Sequence, residues 1–422
     1  MIRSNVQEKT IEAGIDIGSS VIRCSIAEIN NHNESISLLG IGSSITSGVK
    51  NGAISNREKL IDEIEIAINS AQIMANKKID KINLGISGEF IKGINTQGAV
   101  TIGNNEKRNT IQNNIITEND LKKVLDLTKA ISLPLDQDIL HVIPQEYTID
   151  SMKSIKDPLG MSGRRLEAMV HIITVAISAI NNLIKCIEEL GIEVEDVIYQ
   201  GLASSYSTLN NDERELGVAC VDIGSSKTDI IIYNDGGIRH TATLGIGSKS
   251  ITNDIAVMLQ IGINEAEKIK KKYASAKASL SSSELDFELP KRKGEVKRKV
   301  SENEVSKYAE ARMVEILNII NQELKMTGLK KKLTYGTVIT GGGAELKNLN
   351  FLAEEILNTP VRIGKPNNIS GAIEQASSPS YAGAIGLAQW KIFKKEIINI
   401  DTNEPLFKNA FNKIKTLIKE FF

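Results

Sequence analysis

AGIDIGSSVIRCSIAEI (Ala13–Ile29) and ACVDIGSSKTDIIIYND (Ala219–Asp235) align without a gap and share the run DIGSS, at Asp16–Ser20 and Asp222–Ser226. Each is a β-rich run, a Gly-Ser-Ser turn and a second β-rich run, the pattern of a hairpin. The downstream segments repeat as well. A further extended segment, SISLLGIGSS (Ser35–Ser44) or GIRHTATLG (Gly237–Gly245), leads into a helical stretch. That stretch is REKLIDEIEIAINSAQIMA (Arg57–Ala75) in the first half and SITNDIAVML (Ser250–Leu259) in the second. Matching order around matching turns predicts duplicated α/β units related by internal symmetry.

One such turn alone reads as an ordinary hairpin; two facing each other suit a phosphate chain. Gly18 and Gly224 lack the Cβ that would hold a ligand off, so backbone N–H groups can approach phosphate oxygens. Ser19, Ser20, Ser225 and Ser226 add hydroxyl donors. Asp16 and Asp222, at the strand ends, place two carboxylates across a cleft. Unpaired they repel; a hydrated Mg2+ bridging to a nucleotide satisfies both through water. A third stretch, TVITGGGAELKNLNFLAEEIL (Thr337–Leu357), is a buried-strand pattern, the glycines Gly341, Gly342 and Gly343, and an amphipathic helix. Such a junction suits a nucleotide, with the helix N-terminus facing ribose and phosphates.

The bulk composition narrows the field. The 422 residues suffice for two or more packed domains, and 41% hydrophobic with 24% charged side chains is ordinary for a globular protein. A formal net charge of −1 gives no field favouring nucleic acid. Cys24, Cys186 and Cys220 lie far apart, which predicts a reducing compartment and no zinc site. The polar start, MIRSNVQEKT, has no signal-peptide core, and no apolar stretch reaches the ~20 residues of a spanning helix. The expected location is cytoplasmic, unless something else attaches the chain to a membrane.

Two other stretches stand out. In NEPLFKNAFNKIKTLIKEFF (Asn403–Phe422), Leu406, Phe407, Phe411, Ile414, Leu417, Ile418 and Phe421 recur at helical spacing with lysines between them. The pattern fits a docked terminal helix or an in-plane amphipathic membrane anchor. LPKRKGEVKRKVSENEV (Leu289–Val305) is strongly basic and by itself reads as a solvated loop. GNNEKRNTIQNN (Gly103–Asn114) also reads as a solvated loop.

The duplicated hairpins and the glycine stretch resemble, in order, the phosphate-1, phosphate-2 and adenosine motifs of the actin–Hsp70–sugar kinase superfamily. Further blocks resemble one family within it, the bacterial cell-division protein FtsA: LHVIPQEYTID (Leu140–Asp150), DPLGMSGRRLEA (Asp157–Ala168), QGLASSYSTL (Gln200–Leu209), VRIGKPNNISG (Val361–Gly371) and SYAGAIGL (Ser380–Leu387). The resemblance implies an actin-like (ribonuclease H-like) duplicated two-lobe α/β fold with an inserted 1C subdomain and a C-terminal amphipathic helix. It divides the chain into a first lobe (10–84 and 167–200), the 1C insert (85–166), a second lobe (201–246 and 330–390), a 2B subdomain (247–329), a linker (391–405) and a membrane helix (406–422).

The same resemblance implies ATP and Mg2+ as cofactors. Asp16, Gly18, Ser19 and Ser20 fall on the first phosphate motif, and Asp222, Gly224, Ser225, Ser226 and Lys227 on the second. Gly341, Gly342 and Gly343 fall beside ribose and adenine. AEKIKK (Ala266–Lys271) resembles the helix that presents Glu267 and Lys270 to the nucleoside; alone that pair reads as a solvated face. Two departures matter. Superfamily members commonly carry Asp-x-Gly-Gly-Gly-Thr where this chain reads DIGSSKT, so a positive φ at Ser225 or Ser226 is unfavourable. Lys227 is open to either a phosphate or solvent. Where many relatives carry an acidic residue, this chain has Gln200, which can orient a water but not take its proton. Hydrolysis is expected to be slow or absent.

The implied function is an ATP-binding adaptor that polymerises on the cytoplasmic face of the inner membrane and anchors the FtsZ ring. Its implied partners are the FtsZ C-terminal peptide, further copies of itself, inner-membrane lipids and later division proteins reached through the 1C subdomain. The basic loop and following helix, with Arg298, Lys299 and Arg312, fall where the FtsZ peptide docks. The alternatives are a phosphotransferase of the same superfamily and an adaptor of the PilM kind.

Overall fold

The structure, a computed structural model, describes residues 9–50, 52–103, 114–289, 298–367, 369–371 and 374–397. The duplication read from the two hairpins is a duplication of whole sheets. In the first, β1 (Lys9–Ile17), β2 (Val21–Asn30) and β3 (Ile36–Ile45) form an antiparallel meander. A small pair comes next, β4 (Val49–Lys50) and β5 (Ala53–Ile54), then helix α1 (Arg57–Ala75), and β6 (Lys81–Ile86) joins parallel to β1. Helix α1 spans the residues its periodicity predicts. Asn56 caps its start by accepting from the Lys59 amide, and Asn76 ends it with φ of 49°.

The chain then leaves this sheet to build a second layer of its own. Strands β7 (Lys92–Thr101), β8 (Gln137–Ile149), β9 (Met152–Ile155) and β10 (Arg165–Ala176) pair antiparallel in the order β7-β10-β8-β9. Helix α2 (Glu118–Thr128), between β7 and β8, buries Leu121 and Val124 in the core of this insert with Val170 and Ile172. Helix α3 (Ile177–Glu188) and β11 (Glu193–Tyr199) return to the first sheet and complete the order β11-β6-β1-β2-β3.

Helices α4 (Gln200–Thr208) and α5 (Asn211–Leu216) lead to the second sheet. Every residue of α4 is buried, yet it is rich in hydroxyls. Ser205 and Thr208 return theirs to the helix's own carbonyls, and Ser207 also reaches the Ala382 carbonyl. Strands β12 (Val218–Ile223), β13 (Thr228–Asn234) and β14 (Gly237–Leu244) repeat the meander. Helices α6 (Lys249–Leu259) and α7 (Ile263–Tyr273), the hairpin β15 (Asp286–Glu288) and β16 (Lys299–Ser301), and the long α8 (Glu302–Met326) occupy the place of α1. Strand β17 (Thr337–Thr340) then lies parallel to β12, and after α9 (Leu349–Leu357) strand β18 (Val361–Ile363) closes the order β14-β13-β12-β17-β18. Taken outward from the meanders, the two strand orders are the same. Helix α10 (Ala382–Ala388) packs back on the first sheet, where a Cβ at Gly14 would fall 2.4 Å from that of Leu387; α11 (Trp390–Ile397) comes after it.

The insert enters and leaves through the first sheet but rests on the second. Gln145 donates to the Ile238 carbonyl at 2.5 Å, and Asn95 to the Arg239 carbonyl at 3.0 Å. Buried His171 lies between Asn95 Oδ1 at 2.7 Å and Thr241 Oγ1 at 2.9 Å. Because Asn95 Oδ1 can only accept, the ring carries its proton on Nδ1 and accepts from Thr241 on Nε2.

Candidate functional site

Strand pairing closes each DIGSS turn on its own sheet, and the two turns lie face to face. Ser20 and Ser225 share a hydrogen bond of 2.5 Å, and Ser226 donates to Ser19 at 2.7 Å. Between the hairpins opens a cavity of about 250 Å3. It is lined by Asp16, Gly18, Ser19 and Ser20 from one side and Asp222, Gly224 and Ser225 from the other. Gly341, Gly342 and Gly343 line it too, as do Glu267 and Lys270. Three residues expected there do not: Ser226 faces Ser19, Lys227 turns to the Ser87 carbonyl, and Gln200 stays buried behind the lining.

The turn geometry avoids the backbone conformation expected to be unfavourable for the two serines. Neither Ser225 nor Ser226 has a positive φ, so their Cβ atoms cost nothing in backbone strain. The glycine before them matters instead: a Cβ at Gly18 would lie 2.6 Å from the Val21 carbonyl oxygen, and at Gly224 3.0 Å from that of Lys227. The third glycine stretch also differs from its reading. Strand β17 runs into a 3-10 turn, Gly342–Glu345, and α9 begins only at Leu349, so the turn and not the α-helix borders the cavity. Gly341 has φ of 84°, and a Cβ there would sit 2.1 Å from Asp222 Oδ1. Gly342, beside it, has open space at that position.

Burial dominates the electrostatics. It pushes the Asp16 carboxyl up to about 6, with nearby Arg23 opposing. Asp222 rises to about 7 from burial and the charge of Asp229, although Ser204 donates a hydrogen bond to it. Burial leaves both carboxyls short of nearby positive charge; a hydrated Mg2+ between them would favour their ionised form, whose oxygens can accept from its waters. The residues present therefore fit the cofactor pair that the resemblance implies.

Where α6 and α7 border the cavity, Lys270 Nζ lies 2.8 Å from Glu267 and 2.8 Å from Thr252 Oγ1, and Thr252 also donates to Glu267. Lys270 is buried, so this is no solvated face. Gln200 is buried at the head of α4; its Oε1 has no hydrogen-bond partner among the described residues. A Cβ at Gly383, which lines the cavity, would collide with its amide nitrogen.

Sequence reasoning passed over Arg23, which lines the cavity, and over Asp229, Ser204 and Thr252 around it. A signal for Arg23 did exist. In a hairpin with this turn it falls directly opposite Asp16, and the register confirms the pair.

On the second lobe, Arg312 is held by Asp254 at 2.6 and 3.0 Å, and Arg298 donates to the Leu259 carbonyl at 2.9 Å. Lys299 is exposed. The rest of the basic run, Lys291, Arg292, Lys293 and Lys297, lies outside the described residues, as do Leu406, Phe407, Phe411, Ile414, Leu417, Ile418 and Phe421. Among the described residues no helix is long and apolar enough to cross a membrane.

A cleft gripped by two copies of one hairpin, each on a sheet of the same order, defines an actin-like protein. Solved structures agree on the fold. The PilM–PilN type IV pilus biogenesis complex matches with a TM-score of 0.62 at 15% identity, covering 90% of this chain and 98% of that one. MreB5 of Spiroplasma citri bound to ADP matches with a TM-score of 0.52 at 15% identity, covering 93% and 98%. Within that class the chain belongs to the FtsA family of cell division proteins. The family model "Cell division protein FtsA" matches residues 219–386, and "SHS2 domain inserted in FTSA" matches residues 88–174, which contain strands β7 to β9 and most of β10. The cell division protein FtsA of Pseudomonas aeruginosa is 36% identical over 93% of this chain and 92% of its own length. That of Borreliella burgdorferi is 35% identical over 98% of each. The likeness to PilM is one of fold alone.

Proposed function

We propose that this division protein is a nucleotide-controlled adaptor between membrane and FtsZ ring. It binds ATP with Mg2+ in the cleft, assembles with copies of itself, and attaches to the cytoplasmic face of the inner membrane at the division septum through residues 406–422. It tethers the FtsZ C-terminal peptide on the second lobe and helps recruit later division proteins through the insert. The observation that carries the reading is the pair of facing hairpins. Glycines on three sides leave room for a phosphate chain, and Asp16 and Asp222 face the same cavity to hold Mg2+ through water. A relative in fold, MreB5, is solved with ADP. Gln200, standing where many relatives carry an acid, is buried, does not line the cavity, and has no carboxylate to take a proton, so bound ATP serves as a conformational signal and turns over slowly.

For the FtsZ peptide, the end of α6 offers exposed Val257 and Met258, with Arg298 anchored on the Leu259 carbonyl, exposed Lys299 next to it in sequence, and Arg312 paired with Asp254 and Glu315. An apolar strip rimmed by cations suits a short acidic and apolar peptide. A single amphipathic tail holds weakly, whereas an assembly carrying many tails holds firmly, because each later attachment is intramolecular.

Liposome flotation tests the adaptor directly. With ATP and a fluorescent FtsZ C-terminal peptide, the full chain is expected to carry the peptide to the lipid layer. A chain ending at Glu404 should bind the peptide yet leave it at the bottom. Equal flotation of both chains would remove the anchor from the scheme. Flotation of the full chain without peptide would remove the docking surface.

A further inference from the structure

The two hairpins align residue for residue in sequence and register, and they disagree where charge matters. Arg23 of the first occupies the place of Asp229 in the second, and Val21 the place of Lys227. Arg23 and Asp229 lie opposite the motif aspartates: Asp16 pairs with Arg23, and Asp222 with Asp229. Directly opposed residues of an antiparallel pair project from the same face, with Cβ atoms ~5 Å apart. Arg23 accordingly lines the cavity next to Asp16. Its guanidinium lies 5.3 Å from the centre of the Tyr381 ring and forms no hydrogen bond among the described residues. A guanidinium laid on an aromatic face keeps its N–H edge free for an anion.

Lys227 goes elsewhere. Its ammonium donates to the Ser87 carbonyl, in the segment between β6 and β7, and a Cβ at Gly52 would strike it. Asp229 takes the hydroxyl of the same Ser87 at 2.9 Å and that of Thr243 at 2.6 Å. The second hairpin thus holds one residue of the first lobe by both its carbonyl and its hydroxyl. The other cations lining the cavity, Lys270 and Lys271, are already paired with Glu267, at 2.8 and 3.6 Å. A polyphosphate entering between Asp16 and Asp222 needs a cation from the protein, and Arg23 is placed to supply it.

Resting on the nucleotide reading, we propose that Arg23 is the cation that meets the phosphate chain, whereas Lys227 is a strap between the lobes. The two roles separate in a ligand series. ATP, ADP and adenosine are titrated against the full chain, its Arg23→Gln and Arg23→Lys variants, and Lys227→Met. Arg23→Gln is expected to weaken ATP about tenfold or more, as loss of a charge-assisted contact does, and to leave adenosine unchanged. Arg23→Lys should recover part of that loss. Lys227→Met should weaken all three ligands by one common factor and raise amide exchange around Ser87. ATP affinity of Arg23→Gln within twofold of wild type overturns the Arg23 role. Selective loss of ATP over adenosine in Lys227→Met overturns the strap. A wild-type chain that binds none of the three overturns the nucleotide reading itself, and this proposal with it.

Discussion

The first hairpin faces the cavity and the second divides its attention. In β1–β2, the turn and the residue opposite Asp16 all line the cleft. In β12–β13, Asp222, Gly224 and Ser225 line it, while Ser226, Lys227 and Asp229 bind the first lobe through Ser19 and Ser87. The turn serines are the same in both copies and bond each other across the cleft; two side chains, Lys227 for Val21 and Asp229 for Arg23, separate a lobe-joining copy from a ligand-facing one. A duplicated unit supplies a symmetric cradle, and substitution on one copy then fixes how the halves meet. Symmetry also explains why both motif aspartates suffer alike from burial. Only the first has a cation directly across the strand pair.

The largest effect should come from the element that buttresses the second hairpin. Gly341→Val places a side chain on a residue with φ of 84°, against Asp222 Oδ1 and the Ile223 carbonyl. Strain and backbone overlap together cost several kcal/mol, ~3 or more. Thermal denaturation should show a large fall in Tm, and nucleotide binding should vanish with it. Its neighbour sharpens the point. Gly342→Asp has open space, so Tm should stay near wild type while the added carboxylate abolishes ATP binding. A Gly342→Asp chain that unfolds, or that binds ATP normally, breaks the distinction.

Next in size is Asp229→Asn. The carboxylate accepts from Ser87 and Thr243 and lies beside the Lys227 ammonium. The amide keeps the shape, leaves the buried ammonium without its nearest anion, and turns one acceptor into a donor. A loss of about 2 kcal/mol in urea denaturation is expected. Arg23→Gln, on the ligand-facing copy, should cost much less stability, because its guanidinium bonds no described group. Equal losses would mean that both hairpins join the lobes.

Much of this was legible beforehand, for reasons that particular residues make plain. The repeated DIGSS run exposed the duplication, and the residues of α1 carried their helix in their own spacing and Asn56 cap. The aspartates and glycines of the cleft followed from the turns. What escaped depends on chain segments far apart. The destination of Lys227 needs Ser87 and Gly52 brought to it, and no pattern around Lys227 points to either. Glu267 and Lys270 have the spacing of any surface pair; only Thr252, from another helix, reveals them as a buried cluster. The 3-10 turn after Gly341 lies so close to Ile223 that a Cβ at Gly343 would fall 2.4 Å from its side chain, an approach that no pattern around the glycines announces.

The insert offers a finer test of the lobe-joining side, because it rests on β14, next to β13. His171 is neutral there: burial pushes it from its ordinary 6.5 down to about 3, aided by the proximity of His240. His141, which accepts from the Tyr199 amide at 3.1 Å, is pushed down to about 3 by burial and by Lys394. A folded pKa below the unfolded one means that the unfolded chain binds more protons. The stabilising contribution is whole above pH 6.5 and is lost as pH falls towards 3, at ~1.4 kcal/mol per pH unit for each ring. Between Asn95 and Thr241, glutamine can accept and donate without titrating. His171→Gln should therefore reduce the acid slope of stability by one proton between about pH 6 and 4. His141 should still titrate in the variant. An unchanged slope, measured by urea denaturation across that range, would show that His171 is already charged where the insert meets β14.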